Sequence, residues 1–136
     1  MNELSIKADT ANLYKVLDMI GETIDGYACP TRTKSHLDVA VEEIFVNIAN
    51  YAYGDDTGDA FITADVSGEP PTLTVTFRDS GMPYDPLKKP DPDVTLSADE
   101  RSIGGLGIFM VKKTMDDMIY EYKDGQNVLT IKKTLV

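Results

Sequence analysis

The chain has 136 residues, 42% of them hydrophobic and 26% charged, and a formal net charge of -10. That size supports a sizeable core in one domain spanning 1–136. So acidic a surface repels phosphate backbones and anionic lipids, which argues against nucleic acid or a membrane as a direct partner.

The first residues, MNELSIKADT, lack a basic segment followed by an apolar one, so no secretory leader is expected there. No apolar run is long enough to span a bilayer. The single cysteine, Cys29, excludes an internal disulfide and suits a reducing cytosol, so a cytoplasmic location is expected. Glu3–Ala8 alternates, with Leu4 and Ile6 on one face, and predicts a short strand. Thr10–Ile24 places Leu13, Val16, Leu17, Ile20 and Ile24 at helical spacing, with Asp9 or Thr10 as its cap. Gly26 to Pro30 punctuates, and Pro30 is placed to open the next helix. His36, the only histidine, has no ligand partner at metal-binding spacing and reads as a surface residue.

Val39–Tyr53, VAVEEIFVNIANYAY, is predicted as the central helix. On a wheel at about 100° per residue, Leu37, Ala40, Val41, Ile44, Phe45, Ile48 and Ala52 form one apolar stripe for packing on a sheet. Glu43 and Asn47 stack one turn apart at its border, while Glu42 points to solvent. A carboxylate and an amide together at a core edge are costly unless they bind something. The chain then turns at Gly54–Gly58, and Ala60–Val66 reads as a strand. It turns again at Gly68–Pro71, and Leu73–Phe77 follows as an antiparallel neighbour that delivers Arg78, Asp79, Ser80 and Gly81 at its end.

Met82–Ile103 shows little periodicity and holds Pro83, Pro86, Pro90 and Pro92; such a long connection reads as a lid or binding loop over about 82–103. Gly104–Gly107 ends it, and Ile108–Met118 is predicted helical. Ile119–Tyr122 and Val128–Leu135 read as a closing hairpin turned at Asp124–Asn127. The order β-α-α-β-β-loop-α-β-β predicts an α+β two-layer sandwich, with about three helices on one face of a mostly antiparallel sheet.

Three separated signals have a use at a nucleotide. A buried Asp at a strand end, as Asp79 is expected to be, can accept a hydrogen bond from an exocyclic amine, which adenine has and guanine lacks at that position. Gly81 would let the backbone approach the base. Glycines at a helix start expose free amides and the positive dipole end to phosphate. Asn47 offers a neutral oxygen to Mg²⁺, and Glu43, one turn away, is placed as a general base.

In this order the three stretches VEEIFVNIANYAY, FRDSGMPYDP and RSIGGLGIFMVKKTMDD resemble the N-box and two glycine boxes of the Bergerat-type ATP-binding fold, and within it the bacterial anti-sigma factor serine/threonine kinases. The resemblance spans nearly the whole chain. It implies Glu43 as catalytic base, Asn47 as Mg²⁺ ligand, and Asp79 with Gly81 at the adenine. It implies Gly104, Gly105, Leu106, Gly107 and Ile108 around the phosphates, and Arg101 near the terminal one. Lys88 and Lys89 read as lid surface. There are departures: Tyr51-Ala52 stands where better-known members have His-Gly, and Tyr51 falls on the apolar side of the helix as a packing residue. The lid sequence lacks an obvious ordered helix. Asn127-Val128 stands where many relatives carry a threonine, and Asn127 reads as a turn residue.

The implied function is an ATP-dependent serine/threonine kinase that phosphorylates a STAS-type anti-anti-sigma protein and exchanges it for a sigma factor; the family often forms homodimers. The alternative is a module that binds ATP and sequesters a sigma factor or other regulator without kinase activity. Glu43 favours the first, since a nucleotide-dependent switch needs no base there. A sensor histidine kinase half is disfavoured, because no dimerisation helix carries a phosphoacceptor histidine. Neither Gly-x-x-x-x-Gly-Lys-Ser/Thr nor a protein-kinase catalytic loop occurs.

Overall fold

Alternating side chains in the strands and a 3.6-residue stripe in the helices leave each element with one apolar face, and two layers bury them together. The structure, a computed structural model, describes residues 1–54, 56–88 and 105–136. Strand β1 (Asn2–Lys7) leads through a 3₁₀ turn, Thr10–Asn12, into helix α1 (Leu13–Ile24). Asp9 caps that turn, its carboxylate accepting the N–H of Ala11 at 2.9 Å. Helix α2 (Thr31–Asn47) starts after Pro30 and continues as a π-helical turn, Ile48–Ala52. Strands β2 (Asp59–Ser67) and β3 (Thr72–Asp79) follow, then a 3₁₀ turn at Pro86–Lys88. Helix α3 (Gly105–Thr114) precedes the closing strands β4 (Asp117–Lys123) and β5 (Gln126–Thr134).

The five strands form one antiparallel sheet in the order β1-β2-β3-β5-β4. Ile62, Leu73, Val75, Phe77 and Ile131 are sealed on its inner face against Val16, Ile20, Leu37, Val41, Ile44 and Phe45 of the first two helices. Removing a buried phenylalanine such as Phe45 or Phe77 costs about 3–5 kcal/mol. The stripe expected on the central helix is the face observed: Leu37, Ala40, Val41, Ile44, Phe45 and Ile48 are buried, Ala52 is half-buried, and Glu42 is exposed. Cys29 is a free, half-buried thiol, and His36 is half-buried on α2.

Four local expectations are corrected. The last helix runs from Gly105 to Thr114 rather than to Met118, and Met118 lies in β4 opposite Ile131. Val111, Met115 and Met118 fit a helical spacing, but Met118 and Tyr120 also fit the strand alternation that wins. The hairpin turn is tighter than Asp124–Asn127: Asp124 and Gly125 both have positive φ, at 55° and 76°, and these two residues complete the reversal. Asn127 therefore belongs to β5, where it pairs with Tyr122 and Asp79. Tyr51 is not a packing residue, being 60% exposed. The π turn that carries it breaks the 100° step on which its assignment to the apolar side rests.

Candidate functional site

The sheet register places two core-facing polar residues side by side. Asp79 ends β3 and lies directly across from Asn127 of β5, and both are buried. Beneath them lies a cavity of about 590 Å³, walled by Ile44, Asn47 and Ile48 from the central helix and by Phe77, Asp79 and Leu129 from the sheet. Ile108 of α3, Tyr84 and Tyr120 complete the wall. That volume lies within the usual range for a small-molecule site.

Asp79 is 5% exposed. Its Oδ1 accepts the N–H of Gly81 at 3.0 Å and the side-chain amide of Asn127 at 2.9 Å. Its Oδ2 has no hydrogen bond among the described residues. A carboxylate so buried, with one oxygen unsatisfied, is expensive unless a ligand completes it. Tyr53 secures the strand end beside it: the phenol donates to the Asp59 carbonyl at 2.6 Å and accepts the Ser80 N–H at 2.9 Å. Burial raises the Tyr53 pKa, against the Ser80 hydrogen bond that lowers it.

Packing within the chain by itself requires glycine at 81. A Cβ there would lie 2.1 Å from the Ala52 carbonyl oxygen, so the close approach is to the end of the π turn. The Met82 N–H donates to that same carbonyl at 2.8 Å. The strand end and the helix end are thus fastened to each other beside the cavity.

Glu43 and Asn47 sit one turn apart on α2, both partly exposed, as the spacing indicated. Burial is the main cause of a raised Glu43 pKa; the neighbouring Glu42 raises it further, and a hydrogen bond with Asn47 lowers it. The Glu43 carboxyl lies directly against Gly107: a Cβ on that glycine would stand 2.0 Å from the carboxyl carbon. The central helix and the glycine-rich turn of α3 therefore meet at Glu43.

Gly105 and Leu106 form the first turn of α3, whose leading N–H groups have no partner within the helix. Ile108 is buried and lines the cavity. Arg101, Gly104 and Lys89 lie outside the described residues. So does 89–104, most of the expected lid; its start contains the 3₁₀ turn at Pro86–Lys88.

Sequence reasoning missed Tyr53, Tyr120 and Asn127. The available signal for Asn127 was the Asp-Gly pair, which completes a two-residue turn and leaves Gln126 and Asn127 to start the strand.

Comparison with known proteins fits this arrangement. The family profile described as Histidine kinase-like ATPase domain matches residues 6–133. The chain is 31% identical over 101 residues to the serine-protein kinase RsbW of Listeria monocytogenes serotype 4a (strain HCC23), covering 71% of this chain and 63% of that protein. It is 25% identical over 111 residues to the serine/threonine-protein kinase BtrW of Bordetella bronchiseptica, covering 74% of this chain and 70% of that protein. The match thus spans somewhat under two thirds of the RsbW length. Among solved structures, the RsbU and RsbW domains of a Mycobacterium tuberculosis protein superpose with a TM-score of 0.67 at 14% identity, covering 99% of this chain and 33% of that one. A blue-light activated histidine kinase from Erythrobacter litoralis gives 0.55 at 18%, covering 93% and 60%. At such identities the structural likeness concerns the fold alone.

Proposed function

The chain belongs to the histidine kinase-like ATPase domain family, and on that premise we propose that it binds ATP and transfers the γ-phosphoryl group to a serine or threonine of a partner protein. The observation that carries the reading is Asp79, a buried carboxylate in the wall of a nucleotide-sized cavity, with one oxygen that no described residue satisfies. The exocyclic amine of adenine is the donor that would complete it. Ile44, Ile48, Phe77, Ile108 and Leu129 give the base an apolar slot.

The phosphates would extend toward the first turn of α3, where the leading amides of Gly105, Leu106 and Gly107 favour negative charge. Arg101 and Gly104 belong to the same stretch of sequence. Asn47 supplies a neutral oxygen at the cavity wall and fits the sparse protein ligation that Mg²⁺ takes. When bound, Mg²⁺ would neutralise phosphate charge. Glu43 is the base: it takes the proton as the substrate oxygen bonds to the γ-phosphorus and the bond to the bridging oxygen of ADP breaks. Partial desolvation keeps its pKa above the ordinary carboxylate value, which suits a proton acceptor. Positioning and charge neutralisation would supply most of the rate.

The likeness to RsbW and BtrW supports a partner-switching regulator whose substrate is a small anti-anti-sigma protein of STAS type, with a sigma factor as the competing partner. A homodimer, a cytoplasmic location and a single domain with its lid over 82–103 belong to the same reading. No helix among the described residues is long and apolar enough to cross a membrane.

The test is calorimetric titration with ATP, with and without Mg²⁺, beside GTP. Magnesium-dependent ATP binding with GTP excluded supports the site, and its absence sinks the reading. Asp79→Asn should lose most ATP affinity. Glu43→Ala should bind ATP and fail to transfer phosphate to a STAS substrate. ATP binding without transfer by the native chain would instead identify a nucleotide-dependent binding module.

A further inference from the structure

Asn127 makes a set of contacts that a mere strand residue does not need. Its Nδ2 donates to Asp79 Oδ1 at 2.9 Å and to the Met82 carbonyl at 2.8 Å. Its Oδ1 accepts the Tyr84 N–H at 3.0 Å and the Tyr120 hydroxyl. An amide has two donor hydrogens and two acceptor sites, and all four are used. Reversing the amide would set its oxygen against the Asp79 carboxylate and the Met82 carbonyl and its hydrogens against the Tyr84 N–H, so the orientation is determined. The residue is 6% exposed and lines the cavity. It reaches this place because β5 pairs with β3 in a register that puts it opposite Asp79.

We infer that Asn127 is a positioning residue for base recognition, clamping the Asp79 carboxylate to the Met82–Tyr84 backbone so that Oδ2 is the oxygen presented to a ligand amine. This rests on the proposed role of Asp79 as acceptor from adenine. With Asn127 in place, Oδ1 is satisfied by two donors from different parts of the chain. Without it, Oδ1 keeps only the Gly81 N–H from its own turn, and the carboxylate is free to rotate about its broad terminal torsion. Met82 and Tyr84 also line the cavity, so the same amide fixes the start of the segment leading to the loop. Asn127 touches no ligand amine in this scheme; it acts through Asp79. Selectivity for an amine over a carbonyl on the base should therefore depend on it.

The experiment measures affinity for ATP and for inosine triphosphate, which carries a carbonyl where adenine carries the amine. The wild type, Asn127→Ala, Tyr120→Phe, Asp79→Asn and the Asn127→Ala/Asp79→Asn double variant are compared. The wild type should prefer ATP, and Asp79→Asn should erase the preference. Asn127→Ala should weaken ATP binding about tenfold, the worth of one good hydrogen bond, and leave inosine triphosphate almost unchanged. On the Asp79→Asn background it should cause no further change in the ratio. Tyr120→Phe, which keeps the amide but frees one of its anchors, should lower the ratio by a smaller factor. Equal weakening of both nucleotides by Asn127→Ala would indicate a packing role and overturn the inference. So would an unchanged ratio in Tyr120→Phe, the variant that decides the matter if Asn127→Ala does not fold. Either result, beside a wild type that prefers ATP through Asp79, leaves the adenine site standing. A wild type that binds both nucleotides equally overturns both.

Discussion

A contact of Glu43 decides what its neighbour Gly107 tolerates. Its carboxyl fills the space where Gly107 would carry a side chain, at 2.0 Å from the ideal Cβ. The obstacle is the far end of a flexible side chain, so Gly107→Ala should displace Glu43 at small cost in stability. Phosphotransfer should fall steeply while the thermal midpoint stays within a few degrees, measured by kinase assay and calorimetric scan. Glu43 itself has a pKa raised by burial and by Glu42. A carboxyl whose folded pKa is raised contributes stability that is complete below its unfolded value and lost as pH rises through the folded one. At neutral pH the ionised group is therefore a net cost. Glu43→Gln should unfold at a higher temperature than the wild type at pH 7, and the two should converge as the pH falls below about 4.5, the ordinary glutamate value. A constant difference across that range would remove ionisation as the cause.

At the scale of elements, the junction between the central helix and β3 governs the cavity. The π turn ends with Ala52, whose carbonyl accepts the Met82 N–H and occupies the space beside Gly81. The obstacle at Gly81 is backbone, in contrast to Gly107. Gly81→Ala should therefore destabilise the fold by about 3 kcal/mol, at the upper end of overpacking costs, read as a lowered urea midpoint. The elements themselves were largely legible: strict alternation in Ala60–Val66 and Leu73–Phe77 and the stripe from Leu37 to Ile48 leave little choice of period. Glu43, Asn47 and Asp79 were legible because polar residues at a core edge or strand end are costly without a task. What escaped depends on pairing across the sheet or on departures from ideal helix geometry. Asn127 follows Asp-Gly-Gln, a polar run that reads as loop until the two positive-φ residues are counted as the whole turn. Tyr51 and Tyr53 lie in or just beyond a π turn that periodicity does not foresee. The close approach of Gly81 to Ala52 appears only when the helix end and strand end are placed together.

For the whole molecule, the cavity lies between the layers, with walls from α2, β3, α3, β4 and β5. A ligand seated there touches both layers, and it binds a surface that the unfolded chain does not possess. Mass action then converts affinity into global stability: ATP at 100 times its dissociation constant should add about 2.7 kcal/mol. For a chain of this length that corresponds to a rise in midpoint of about 5–10 °C. Because elements of both layers, from Ile44 to Leu129, line the site, the rise should come as a displacement of one cooperative transition, not as a second one split from it. GTP at equal concentration should leave the midpoint near its ligand-free position, and Asp79→Asn should abolish the ATP effect while keeping a folded transition of its own. A calorimetric scan with ATP, with GTP and on the variant tests all three together. A shift that survives in Asp79→Asn would locate the nucleotide away from the sheet, and a split transition would mean that α3 with the closing hairpin unfolds apart from the rest. A single transition moved by ATP alone, and only with Asp79 present, would tie base recognition at one strand end to the stability of the entire fold.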